Sequence, residues 1–243
     1  FTWSATSFKT YLQCKRKFYL QYVLKLKEHS ISLKPKAYEL GDIIHSILED
    51  YYTLDENRVE LSFEKIEQLF NKYKSTNPFL ILDLEIWKKK LYEFYLLDKE
   101  RLTHRKIIAL EKSFSCEFEG IQIKGVIDRI DSFEDSYEVI DYKTSASLSV
   151  DTLKNYDKTD DFQLEFYYLA MSDMYKTDKI EAYYYDLNNT QLINEIALDK
   201  KLELLCEKFN ELKEISKNEI SFSKCEDKTN CTYCAYSIIC NRE

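Results

Sequence analysis

The chain has 243 residues, of which 44% are hydrophobic and 15% aromatic, with only three glycines and two prolines. That much apolar material excludes a disordered chain, and so few breakers predict long helices. A net charge of −8 and a pI near 5.2 exclude a uniformly basic nucleic-acid coat, but not local basic patches or the clustered carboxylates a metal site needs. No run approaches the roughly 20 apolar residues of a membrane span. The first twenty residues carry Lys9, Lys15, Arg16 and Lys17 without the apolar stretch of a secretory signal, so a cytoplasmic protein with no membrane partner is expected. The start at Phe1 and the end just past Cys240 suggest a piece of a longer polypeptide.

Aromatics and leucines at helical spacing predict one or two helices within 4–27, and 34–36 with Pro35 reads as a loop. Ile43, Ile44, Ile47 and Leu48 share one face of a helix over 38–52. Two further helices are expected over 61–74 and 82–103, the first stopped by Pro78, which also pushes Asn77 toward an extended conformation. From Ile107 the pattern changes. Three strands follow, over 106–120, 121–133 and 137–144, with Gly120 and the stretch 132–136 supplying the turns. A helix over 160–175, strands over 179–187 and 191–198, and a charged helix over 198–217 precede a tail without periodicity. The sum is one α/β domain over 1–243: mainly helical to 105, a sheet core over 106–197, and a helix with a cysteine-rich end over 198–243.

The sheet core places Asp128, Asp141 and Lys143 at strand ends. Two convergent carboxylates repel and raise one pKa unless a cation joins them, and Mg²⁺ prefers such oxygen ligands. Lys143, two residues past Asp141, points to the same face and can orient a metal-bound water or stabilise charge on a phosphate. The plainer alternative is a solvated hairpin with an exposed Asp–Lys pair. An unpaired carboxylate at the end of a buried apolar strand is costly, which argues for a site.

The motifs G-V-I-D-R-I-D and V-I-D-Y-K-T resemble those of the PD-(D/E)xK nucleases, specifically the RecB-like branch, which includes AddB- and RecB-type helicase–nucleases and CRISPR-associated RecB-like exonucleases. The resemblance implies a restriction-endonuclease-like central mixed sheet flanked by helices. It implies Asp128 and Asp141 as ligands of Mg²⁺ or Mn²⁺ and Lys143 as the catalytic lysine, with Ile127 where the family's proline would stand. G-D-I-I-H-S-I-L-E resembles the helix that presents a metal-contacting histidine, which maps to His45; His29 and His104 lack such a context and read as structural. D-F-Q-L-E-F-Y-Y resembles the branch's QxxxY motif, so Gln163 and Tyr167, one turn apart on a helix, are implied to line the site. Glu111 sits where relatives hold an acidic residue beside the metal, with Glu117 and Glu119 as competitors.

Seven cysteines in a reducing compartment read as metal ligands or free thiols. Cys231, Cys234 and Cys240 need a fourth thiolate for either zinc or an iron–sulfur cluster, and both Cys225 and Cys14 are available. The resemblance selects Cys14 and a [4Fe-4S] cluster, because iron–sulfur RecB-like nucleases pair one N-terminal cysteine with a C-terminal CxxCx₅C. Joining Cys14 to Cys231 closes 217 residues and would remove on the order of 5 kcal/mol of unfolded-chain entropy, a structural staple. Cys116 and Cys206 are expected to be buried small hydrophobes. Tyr and Phe number 34; some could stack on unpaired bases, although most read as core. The resemblance implies a metal-dependent deoxyribonuclease, an exonuclease more than an endonuclease, as the C-terminal domain of an AddB-like subunit that works with a partner helicase–nuclease subunit in double-strand break repair. A free-standing CRISPR-associated exonuclease and a silent cluster-bearing DNA-binding module are the alternatives.

Overall fold

Strand β1 (Lys106–Phe118) turns into β2 (Ile121–Phe133) across Glu119 and Gly120, whose φ angles of 50° and 72° suit a two-residue primed hairpin turn. A short turn leads on to β3 (Ser136–Lys143). Helix α6 (Gln163–Tyr175) then carries the chain over to β4 (Ile180–Asp186), and β5 (Gln191–Asn194) completes the sheet. The order is β1-β2-β3-β4-β5, antiparallel except between β3 and β4, the one pair joined through a helix. The computed structural model describes residues 1–27, 35, 37–53, 61–73, 75–216 and 221–242. Of the loop expected over 34–36 only Pro35 is among them, and His29 lies outside.

Helices flank this sheet. On one side lie α1 (Ala5–Gln13), α6 and α7 (Leu198–Ser216); on the other lie α3 (Ala37–Thr53), α4 (Phe63–Lys72) and α5 (Pro78–Arg101). A four-residue helix α2 (Lys15–Phe18) and a π-helical turn over Tyr19–Val23 follow α1. Ser4 starts α1 through a reciprocal capping box with Ser7. Successive β3 residues enter opposite layers, as pleating requires. Val139 packs with Phe8, Phe166 and Phe209, whereas Ile140 packs with Ile44, Leu84 and Phe94.

The expected α/β architecture with a central mixed sheet is therefore present. Three local expectations are corrected. Helix α5 begins at Pro78, not at 82: proline suits the first helical position, and Asn77, extended as expected, accepts the Phe79 N–H at 3.0 Å. The last strand stops at Asn194, because Glu195 Oε1 accepts the Ala197 N–H and the chain turns into α7. Cys116 and Cys206 are half-buried. No helix among the described residues is long and apolar enough to cross a membrane.

Beneath the sheet lies an ionic network. Arg129, fully buried, grips Asp131 with Nε and Nη2 (2.7 and 2.8 Å) and donates Nη1 to Asp98 (2.9 Å) and to the Tyr142 hydroxyl (3.2 Å). Arg101 bridges Asp131 and Glu138, Arg105 adds a second guanidinium to Glu138, and Tyr52 donates to Asp98. Three carboxylates thus meet three guanidiniums. That balance lets charges occupy a core that would otherwise reject them.

Candidate metal and thiol sites

Arg129 faces Leu110 on β1 and Ile140 on β3. The next position on each strand brings Glu111, Asp128 and Asp141 into one row across three strands. Like charges in such a row repel unless a cation or protons intervene. Glu111 has a φ of 43°, the left-handed region that a non-glycine residue seldom adopts inside a strand.

Helix α3 supplies the imidazole. Its approach to the end of β3 is close: a Cβ on Gly41 would stand 3.2 Å from Thr144 Oγ1. One turn on, His45 Nε2 lies 3.0 Å from the Tyr142 carbonyl and Nδ1 lies 3.4 Å from Asp128 Oδ2. Burial, the largest influence on His45, holds its pKa below the ordinary value, so the neutral ring is favoured. Its N–H then belongs on Nε2, donated to the carbonyl, and the Nδ1 lone pair is left facing the Asp128 carboxylate. With Asp128 ionised, two lone-pair atoms at that distance repel, whereas a proton or a cation between them would be held by both.

One ligand atom each from His45, Glu111 and Asp128 lies within 4.8 Å of the others. Asp128 is buried, accepts the Tyr142 N–H at 2.8 Å, and has its pKa pushed well above the carboxylate range by burial, then by Asp141 and Glu111. Glu111 is pushed up to about 7 by burial, then by Glu49 and Asp141. This donor set, two carboxylates and an imidazole oriented by a backbone carbonyl, fits a divalent cation.

Asp141 lies outside that trio. Its Oδ1 accepts from Gln163 Nε2 (2.6 Å) and from the Tyr167 hydroxyl (3.2 Å), and its Oδ2 stands 2.7 Å from Lys143 Nζ. Lys143 also donates to Gln163 Oε1 at 2.7 Å. Burial lowers the Lys143 pKa, but Asp141 outweighs it and the amine stays cationic. The structure therefore gathers Asp128, Asp141, Lys143, His45, Gln163 and Tyr167 where the end of β3 meets the middle of β2, not the end of β2 as expected for Asp128, and adds Glu111 and Glu49. The resemblance puts Glu111 ahead of Glu117 and Glu119, and strand register brings it opposite Asp128. His104 is exposed at the end of α5.

The cysteines form a second locus. Cys14, Cys225, Cys231, Cys234 and Cys240 line one small cavity, together with Lys17. Cys14 Sγ accepts the Lys17 N–H at 3.4 Å, where α2 begins. Burial pushes this thiol up, but donors from Lys17, Cys225 and Arg16 outweigh it and hold the pKa below the ordinary value. Cys225 Sγ lies 3.8 Å from Cys231 Sγ, and burial followed by its thiol neighbours pushes it up to about 12. The thiols share a cavity, but among the described residues no three of their sulfurs lie within 4.8 Å of one another, and the close pair includes Cys225 rather than only the four expected ligands.

The family model described as the PD-(D/E)XK nuclease superfamily matches residues 2–241. No curated protein matches the chain. Among solved structures, one described as the crystal structure of SSO0001 is 18% identical over 93% of this chain and 94% of that one, with a TM-score of 0.31.

Proposed function

Because the chain belongs to the PD-(D/E)XK nuclease superfamily, a superfamily of metal-dependent nucleases, we propose that it hydrolyses DNA phosphodiester bonds where the middle of β2 meets the end of β3. The single observation that carries this reading is the cross-strand row of Glu111, Asp128 and Asp141, closed by His45 on one side and by Lys143 on the other. His45, Glu111 and Asp128 would hold Mg²⁺ or Mn²⁺, with Asp141 as the further carboxylate. The ion would polarise the phosphate and lower the pKa of its bound water. Lys143 places a positive charge beside that ion, where an attacked phosphate gains negative charge. Gln163 and Tyr167 hold Asp141 by two hydrogen bonds and so keep Lys143 in register. Incubation of labelled linear DNA with the full chain and Mg²⁺ or Mn²⁺ should give cleavage that a chelator abolishes and excess cation restores. Intact DNA under both cations would leave a silent DNA-binding module as the better reading.

The finer assignment rests on the resemblance of the H45, D-Y-K and QxxxY segments to the RecB-like branch. It makes 1–243 one nuclease unit of an AddB-like subunit, an exonuclease acting with a partner helicase–nuclease subunit on broken DNA in the cytoplasm. Within it, Cys14, Cys231, Cys234 and Cys240 would hold a [4Fe-4S] cluster as a structural staple, with Cys225 beside it. Protein purified without oxygen should be brown, with broad visible absorbance and matching iron and sulfide. Colourless protein with one equivalent of zinc would replace the cluster by a zinc site.

Proton competition gives a test of the metal site without DNA. Glu111, Asp128 and Glu165 carry raised pKa values in the folded chain and outnumber His45, whose lowered pKa acts the other way, so between about pH 4.5 and 7 the metal-free fold binds more protons than the unfolded chain. Metal-free stability should therefore fall as pH rises through that window. A divalent cation needs the deprotonated carboxylates, so its stabilisation should grow in the same direction. At 100 times its Kd, Mn²⁺ should raise the melting temperature by about 5–10 °C at pH 8 and by far less at pH 5.5. Equal shifts at both values would remove Glu111 and Asp128 from the site.

A further inference from the structure

Helix α1 reaches the segment before α6 through two side-chain hydrogen bonds, one of them an ion pair, between residues far apart in sequence. Lys9 Nζ donates to Asp161 Oδ2 at 2.8 Å, and Gln13 Nε2 donates to Asp160 Oδ2 at 2.6 Å. Asp161 then does two things at once. Its other oxygen accepts the Gln163 N–H at 3.1 Å, one of the first-turn donors of α6 that has no partner within the helix. Its charge also acts on Lys143, whose amine already has Asp141 at 2.7 Å. Asp141 is the carboxylate in direct contact with Lys143, and Lys9 sits on Asp161, which reaches Lys143 through its charge and through Gln163.

We propose that Lys9 and Asp161 are a positioning pair. Asp161 fixes where α6 begins, and so where Gln163 spans Lys143 and Asp141, while Lys9 neutralises Asp161 and keeps Lys143 on Asp141. The pair is partly exposed, with side chains 39% and 34% accessible, so its contribution to stability is small and its effect is one of direction. This inference rests on the nuclease reading of the site. It assigns a role to a residue 152 positions from its partner and separate from the strand row.

Four full-length variants loaded with Mn²⁺ test it. Lys9→Met should lower kcat on labelled DNA about tenfold or more at unchanged KM, the scale of a displaced catalytic group, and Lys9→Arg should restore it. Asp161→Asn should lose little, since its amide oxygen can still accept the Gln163 N–H. The double variant Lys9→Met/Asp161→Asn should return to the Asp161→Asn rate, because the competing charge is gone; a strut with a merely structural role predicts a double variant at least as slow as Lys9→Met. A crystal structure of Lys9→Met should show Lys143 Nζ moved into ion-pair distance of Asp161. Wild-type kcat in Lys9→Met, a raised KM alone, an unrescued double variant, or Lys143 unmoved would each overturn the inference. If the wild-type protein does not cleave DNA, the nuclease reading fails instead, and the position of Lys143 in that crystal structure decides the inference by itself.

Discussion

Replacing Arg129 by methionine should destabilise the protein by about 3–5 kcal/mol, the cost of leaving buried carboxylates without their cation. The guanidinium is fully buried and makes bonds to Asp98, Asp131 and Tyr142 that no other residue can replace together. Asp131 would retain Arg101, but Asp98 would keep only the Tyr52 hydroxyl and a distant Arg101 at 3.9 Å. For a chain of this length the melting temperature should fall by on the order of 10 °C. Adding Asp98→Leu should recover part of the loss, since it removes the stranded charge. The effect should extend to the site as well. Tyr142 gives its backbone N–H to Asp128 and its carbonyl to His45, and Arg129 holds its hydroxyl. A Arg129→Met protein that melts within a degree of wild type would show that the network contributes nothing net.

The parts of this molecule that follow from nearest neighbours were readable in the sequence. Hydrophobic alternation and β-branched residues mark β1 to β4, because pleating imposes a period of two on the chain itself. Asp141 and Lys143 stand at the end of β3 as read, because i+2 spacing is a local property, whereas Asp128 stands in the middle of β2 rather than at a strand end. What could not be read depends on register and on long-range approach. Glu111 is one of three glutamates on or just after β1, and only pairing with Ile127 and Arg129 on either side brings it opposite Asp128. Lys9 and Asp161 carry no pattern at all; they meet because α1 packs beside the start of α6. The buried network did leave a trace. Arg129 alternates with Ile127 and acidic neighbours flank it, so once the strand is buried, partners among those acids are required. Pro78 misled for a different reason: the same residue that stops one helix is suited to start the next.

The row of carboxylates predicts that function and stability oppose each other at Asp128. Asp128→Asn keeps the shape of the side chain and an oxygen to accept the Tyr142 N–H, while it removes a buried charge facing Asp141 and Glu111. At pH 8 without metal the variant should melt higher than wild type, because the folded protein no longer confines that charge. Toward pH 5 the difference should shrink, as protonation of Asp128 relieves wild type in the same way. Cleavage with Mg²⁺ should fall by about 10³-fold or more, since a neutral amide is a poor ligand for a hard cation and the polarising ion is lost with it. Asp141→Ala should lose cleavage to the same degree for a different reason. Lys143 would lose its nearest carboxylate and Gln163 one of its three side-chain partners. Thermal melts across pH and cleavage of end-labelled DNA measure both halves. An Asp128→Asn protein that cleaves within tenfold of wild type, or one that melts lower at pH 8, would mean that Asp128 is not the charge around which this site is built.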